Sequence, residues 1–222
     1  MTTLAVRKPH ADRGIEGLAA KWYAANTAEM MKEYIDLARR ISGQIAQNST
    51  VLEVAPGPGY FSIGLAKLGS YAITGLDISH TMVRMAAKKA AKAGVEADFK
   101  QGSASNMPFP AGSFDFLLCR AAFKNFAQPV SALQEMCRVL RPGGRGLIID
   151  LKRNASPEEV SRAVDAMGLS WFNRIMTRLA CKTMLIKSAY TKEEFQQMLA
   201  QANFSSVEID EGDMGLEIWM TK

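Results

Sequence analysis

The chain has 222 residues, 48% of them hydrophobic, which suits one compact α/β domain with an appended cap. Its net charge of +5 and sequence pI of about 9.1 come from Lys and Arg spread along the chain without a long basic run, so we expect solvated faces and no nucleic-acid partner. Three scattered cysteines (Cys119, Cys137, Cys181) and two histidines (His10, His80) make neither a disulfide framework nor a metal site, and no apolar stretch approaches the ~20 residues of a membrane span.

The N-terminus, Met1 to Gly14, is polar, lacks an apolar signal core and is expected to be disordered. With its unpaired thiols, the chain reads as cytoplasmic. Residues 15–46 follow a helical period through Leu18, Trp22, Met30, Met31, Tyr34, Leu37 and Ile41, with Gly43 as the stop.

Val51 to Phe61 is the centre of the chain. Val51, Leu52 and Val54 form an apolar run suited to a parallel strand buried on both faces. Gly57 and Gly59 let the backbone turn tightly and approach a ligand, Pro58 stiffens the turn, and a helix follows over about 59–69. Such a turn offers N–H groups to an anionic or carboxylate-bearing ligand. The dinucleotide pattern G-x-G-x-x-G is broken, since its third position is Ser62. An acid, Glu53, sits in the strand instead. A second acid, Asp77, closes the next strand (71–77), where an adenosine ribose would be held by its hydroxyls.

Ser79 is an N-cap for a helix running to about Gly94. Strands are expected at about 95–100 and at Phe114–Cys119, with Asp115 structural. A helix over 128–140 stops at Arg141-Pro142-Gly143-Gly144, and Gly146–Leu151 is the plainest buried strand. Residues 152–189 are rich in Met, Arg and Lys and read as two lid helices. Their apolar side chains could be the lid's own core, an adaptable substrate wall or, with Arg174, Arg178 and Lys182, a membrane-surface face. Thr191 and Glu194 form a capping box for a last helix, followed by strands at Phe204–Ile209 and Leu216–Thr221. The chain thus divides into a tail and helical cap (1–46), a ligand-binding core (47–151), a helical lid insertion (152–189) and a C-terminal helix with edge strands (190–222).

Val51 to Phe61 with Gly75-Leu76-Asp77-Ile78-Ser79 resembles the first two motifs of class I S-adenosylmethionine-dependent methyltransferases. The likeness continues through Gly102 to Pro110, Ser113-Phe114-Asp115-Phe116 and Arg138 to Gly144, covering residues 48–151 in order. It implies a Rossmann-like seven-stranded sheet, mostly parallel with an antiparallel edge pair and helices on both faces. It also implies S-adenosylmethionine as cofactor, with S-adenosylhomocysteine as product. Glu53, Ala55, Gly57, Gly59, Asp77, Ile78, Met82, Gly102, Ser103, Ala104, Cys119 and Arg120 would hold it. The family usually has glycine at the place of Ala55, a mild change. It has an acid at the place of Ser103, whose hydroxyl is a weaker, neutral contact for the adenine amino group.

Methyl transfer from a sulfonium can proceed largely by orientation, so no catalytic residue is assigned. Tyr23, Lys124, Asn125 and Tyr190 are the candidates to line a small-molecule substrate, and the protein is expected to act as a monomer or homodimer. Lys124-Asn125 partly resembles the Arg-Asn pair of the ubiquinone/menaquinone methyltransferase group, with Lys replacing Arg. The motif of DNA amino-methylation and the Pro-Cys of cytosine C5 chemistry are both missing. Metal-assisted catechol methylation would have one acid, Asp150, and no clear second. Three alternatives stay open: a quinone-biosynthesis-like methyltransferase, a cofactor-binding partner or regulator without methylation activity, and a nicotinamide-dependent oxidoreductase, disfavoured by Ser62.

Overall fold

The computed structural model describes residues 14–166, 171–180 and 185–222. Of residues 1–14, expected to be disordered, 1–13 lie outside the described residues, as do the readings made for His10, Cys181 and Lys182, while Gly14 is described and packs against Ser79. In chain order the elements are α1 (Gly17–Thr27), α2 (Met31–Ser42), β1 (Thr50–Val54), α3 (Tyr60–Ala66), β2 (Ala72–Asp77), α4 (His80–Ala93), β3 (Asp98–Gln101) and β4 (Phe114–Arg120). Then follow α5 (Pro129–Val139), β5 (Leu140–Leu151), α6 (Pro157–Ala166), α7 (Trp171–Ala180), α8 (Ile186–Ser188), α9 (Lys192–Leu199), β6 (Ser206–Glu211) and β7 (Gly215–Thr221).

The strands form one seven-stranded sheet in the order β3-β2-β1-β4-β5-β7-β6. The first five are parallel, and β7 runs antiparallel between β5 and β6. The order reverses between β1 and β4, which makes their carboxyl ends the natural ligand crevice.

The pleat sends alternate residues to two cores. Leu52, Val54, Leu117, Cys119 and Ile148 meet Leu133 and Met136 of α5 and Phe195 and Met198 of α9. Val51, Phe116, Leu118 and Leu147 meet Leu37 and Ile41 of α2 and Phe61 and Leu65 of α3. Glu53 shares the parity of Val51, so its carboxylate points at α3.

Local signals place several ends correctly. Ser79 accepts the Met82 N–H at the start of α4, and Gly94 closes that helix in the left-handed conformation. The Thr191/Glu194 capping box is complete.

Other expectations shift. The 15–46 helix is two helices joined by a 3-10 turn, Ala28–Met30. Helix α3 stops at Ala66, and β3 begins only at Asp98. The Arg141-Pro142-Gly143-Gly144 segment ends α5 as expected but becomes part of β5, through a bulge between the Phe114↔Leu140 and Phe116↔Arg145 pairs. Gly143 allows it with a φ of 78°. The 152–189 segment contains three described helices, not two, the last a single turn. Asp115 is structural: it accepts the Thr50 N–H and hydroxyl (both 2.8 Å) and pairs with Arg141 (2.6 Å), tying β1 to β4.

Candidate functional site

The β1–α3 turn is held by backbone bonds, one to β2 and one within the turn. Ala55 donates to the Leu76 carbonyl (2.7 Å) and Gly59 to that of Pro56 (3.0 Å). The two glycines serve different ends. A Cβ on Gly59 would lie 3.0 Å from the Ala86 Cβ and 3.1 Å from the Phe99 ring, so Gly59 packs the turn onto α4 and β3 and is not an open approach to a ligand. Among the described residues, a Cβ on Gly57 would meet only the Tyr23 ring, at 3.9 Å, and its φ of 53° independently favours glycine. Gly57 is therefore the open cradle. Ala55 has a φ of 55°, a left-handed conformation that costs an L-residue about 1–2 kcal/mol, so its place in the motif is strained and the change from glycine is not mild.

Two acids flank the turn. Glu53 is 2% exposed, and one oxygen accepts the Ser62 N–H (3.1 Å) and hydroxyl (2.5 Å). Burial pushes its carboxyl up to about 7. Ser62 entered the sequence reading only as the glycine that was not there. In the fold it is the partner that anchors Glu53.

Asp77 accepts the Gly57 N–H on one oxygen (3.0 Å) and the Ser79 N–H on the other (2.8 Å), bridging the glycine turn to the start of α4. Burial raises its pKa as well. Ile78 is half-buried beside it, and Met82 is buried under the α4 cap.

The Gly102–Pro110 loop lies beyond β3. Gly102 donates to the Asp77 carbonyl (3.0 Å), and a Cβ there would press Leu76. The Ser103 hydroxyl lies 2.9 Å from that of Ser105, and Ala104 packs against the core. The loop is held from behind by Arg138, which donates to the Met107 and Phe109 carbonyls and pairs with Glu135. Sequence reading passed over that pair, although Arg138 falls within the matching motif.

The expected residues on and after β4 scatter. Cys119 is fully buried in the core, and its thiol is pushed well up by burial. Arg120 pairs with Glu33 of α2 (2.6 Å) and lies over the Tyr34 ring (4.1 Å). Lys124, expected to line the substrate, is turned inward: it is 4% exposed and bonds Asp150 (2.9 Å) and the Ala121 carbonyl (2.6 Å). Its backbone N–H donates to the other Asp150 oxygen (2.8 Å). Asn125 is exposed. Tyr190 is buried with its ring packed against Phe123 and Phe195. Of the four proposed substrate residues, Tyr23 alone stands at the glycine turn. Burial raises its phenol to about 12, so it is a hydrogen-bond donor at neutral pH and not a base.

Glu33, Tyr34, Tyr60 and Glu16 were missed. Tyr60 opens α3 and donates to the Ala24 carbonyl (2.8 Å), fixing α1 over the turn. Glu16 accepts the His80 and Thr81 N–H groups (2.8 and 3.0 Å), fixing the start of α1 to α4. Only a capping pattern across distant segments could have signalled the last. Among the described residues no three His, Cys, Asp or Glu side chains are grouped to hold a metal, and no helix is long and apolar enough to cross a membrane.

Residues 52–148 match a family described as a methyltransferase domain. A demethylmenaquinone methyltransferase from Deinococcus radiodurans is 33% identical over 142 residues, covering 64% of this chain and 57% of the relative. The chain thus spans little more than half of that relative's length. Among solved structures, a methyltransferase candidate from Methanococcus maripaludis superposes with a TM-score of 0.72 at 24% identity, covering 95% of this chain and 94% of the other. An S-adenosylmethionine-dependent methyltransferase from Aquifex aeolicus superposes with a TM-score of 0.63 at 19% identity, over 83% and 88%.

Proposed function

With residues 52–148 matching a methyltransferase domain, we propose that the chain is a class I S-adenosylmethionine-dependent methyltransferase and moves the methyl group of that cofactor to a small-molecule acceptor. The observation that carries this reading is the cradle at Gly57. A side chain there would enter open space beneath Tyr23, while the neighbouring buried positions are acids.

The donor set fits the cofactor's chemistry. Asp77 uses each oxygen once on backbone N–H groups and keeps acceptor capacity for a ribose diol. Glu53 spends one oxygen on Ser62, and its other oxygen suits an ammonium group. Arg120 gives one nitrogen to Glu33 and has further N–H donors for a carboxylate. When bound, the cofactor supplies an electrophilic methyl group on a sulfonium.

The chain's part is then positioning. Gly57 admits the ligand, Asp77 and Glu53 fix its ends, and Tyr23 closes over the turn as a donor. Among the described residues, Tyr23 stays protonated and Asp150 is engaged by Lys124, so neither is a free base. Orientation and exclusion of water would supply the rate, with an acceptor that brings its own nucleophilic atom. The acceptor would lie over the carboxyl ends of β4 and β5, bounded by α1 and the α6–α8 lid.

A second reading is a quinone-biosynthesis-like acceptor, favoured by the name of the Deinococcus radiodurans relative. The buried Lys124 gives it no support, because that side chain is turned to Asp150. Calorimetry with S-adenosylmethionine against NAD tests the cofactor. A metabolite screen read by mass spectrometry for S-adenosylhomocysteine release tests the activity. Binding without release from any acceptor, reduced quinone precursors included, would favour a cofactor-binding regulator over an enzyme.

A further inference from the structure

The first turn of α1 is tied to the ribose-side loop by contacts that the proposed function does not use. Glu16 accepts the N–H groups of His80 (2.8 Å) and Thr81 (3.0 Å) and the Thr81 hydroxyl. Gly17 donates to that same hydroxyl (3.2 Å), and Ser79 donates its hydroxyl to the Ile15 carbonyl (2.7 Å). Gly14 packs so closely that a Cβ there would lie 2.7 Å from the Ser79 Cα. Together with Asp77 on Ser79 and Ser79 on Met82, these bonds satisfy every N–H at the start of α4 from within the chain.

From this anchor α1 runs across to the glycine turn, where Tyr23 stands 3.9 Å from a Cβ placed on Gly57. Asp77 bridges the same two points from below, through Gly57 and Ser79, and is 7% exposed. The first two turns of α1 therefore lie over the carboxylate that a ribose must reach. The far end of α1 is held separately, by Tyr60 on the Ala24 carbonyl. The near end carries a hinge: Gly17 has a φ of 57° and nothing within 4 Å of a Cβ.

We propose that Glu16 is a latch, holding residues 14–17 shut over the adenosine end of the site, and that this strap must release for the cofactor to enter or leave. The proposal rests on the cofactor reading above. It makes Glu16 a positioning residue: it sets how fast the ligand exchanges without touching it.

The test uses radiolabelled S-adenosylhomocysteine and the full chain, with association and dissociation rates measured separately. Hydrogen bonds to a charged group are each strong enough that losing the Glu16 carboxylate should shift strap opening by about tenfold or more. Glu16→Ala should therefore speed dissociation by about that factor and raise the association rate as well. Gly17→Ala removes no contact and meets no clash but disfavours the latched backbone, so it should speed both rates by roughly five- to tenfold. Unchanged rates in both variants, with only a lower Tm for Glu16→Ala, would mean that Glu16 merely caps α4, and the latch is overturned. A parent protein that does not bind S-adenosylhomocysteine overturns the cofactor reading first. Binding by the parent with unaltered exchange in the variants overturns the latch alone.

Discussion

Glu53→Gln separates the cost of the buried acid from its use. In the free protein burial raises the Glu53 carboxyl from 4.5 to about 7. The difference, 7 − 4.5 = 2.5 pH units, corresponds to about 3 kcal/mol at 1.36 kcal/mol per unit. The sign follows from linkage: a carboxyl raised in the folded state contributes its stability below pH 4.5 and loses it as pH rises to about 7. Gln has nearly the same shape, and its carbonyl can still accept from Ser62, but it does not ionise. Relative to Glu53→Gln, the ligand-free parent should therefore lose about 3 kcal/mol between pH 4 and pH 8. At ~2–4 °C per kcal/mol for a chain of this size, the gap in Tm should widen by roughly 6–12 °C. With S-adenosylhomocysteine present the order should reverse. The ionised parent gains an ammonium partner at pH 8, so its ligand-induced rise in Tm should exceed that of Glu53→Gln. Scanning fluorimetry at both pH values, with and without ligand, reads all four states. Parallel parent and variant curves without ligand would refute the raised carboxyl, and equal ligand shifts would refute its role in binding.

Asp77→Ala should weaken S-adenosylhomocysteine binding by roughly ten- to a hundred-fold, the worth of hydrogen bonds to a charged acceptor; calorimetry reads it, and an unchanged Kd counts against the ribose role. Gly57 and Gly59 both have positive φ (53° and 76°), so Gly57→Val and Gly59→Ala should both lower Tm, Gly59→Ala also by pressing Ala86 and Phe99; ligand titration of the folded proteins should separate them, with binding abolished in Gly57→Val and retained in Gly59→Ala. Ala55→Gly should relieve a left-handed alanine and raise Tm by about 2–4 °C, measured by calorimetric melting. Lys124→Met strands Asp150, whose side chain is 1% exposed, and breaking such a pair costs about 3–5 kcal/mol; a chemical denaturation midpoint equal to the parent's would refute the structural role assigned to that ion pair.

What could be read along the chain was what neighbouring residues decide. The Val51–Phe61 run gave strand, turn and helix because apolar period and glycine placement act within a few residues. Ser79 and Thr191 marked helix starts for the same reason, their partners lying three residues on. The ordered motifs between Glu53 and Gly144 carried the sheet with them, since successive parallel strands leave few topologies.

The charged side chains were a different matter. Arg120 found Glu33, 87 positions away, Glu16 found Thr81, 65 away, and Lys124 found Asp150, 26 away. Nothing local distinguishes a lysine that will face solvent or substrate from one that a neighbouring strand will bury against an aspartate. Gly57 and Gly59 likewise look alike in sequence, and one faces open space only because α4 and β3 press against the other. The sequence by itself determined the elements, the order of the motifs and the acids beside the turn, because propensity and period are short-range properties. Tertiary structure alone decided which charges pair, which glycine is open and what lies over Asp77, because those depend on contacts that exist only after distant segments have been brought together.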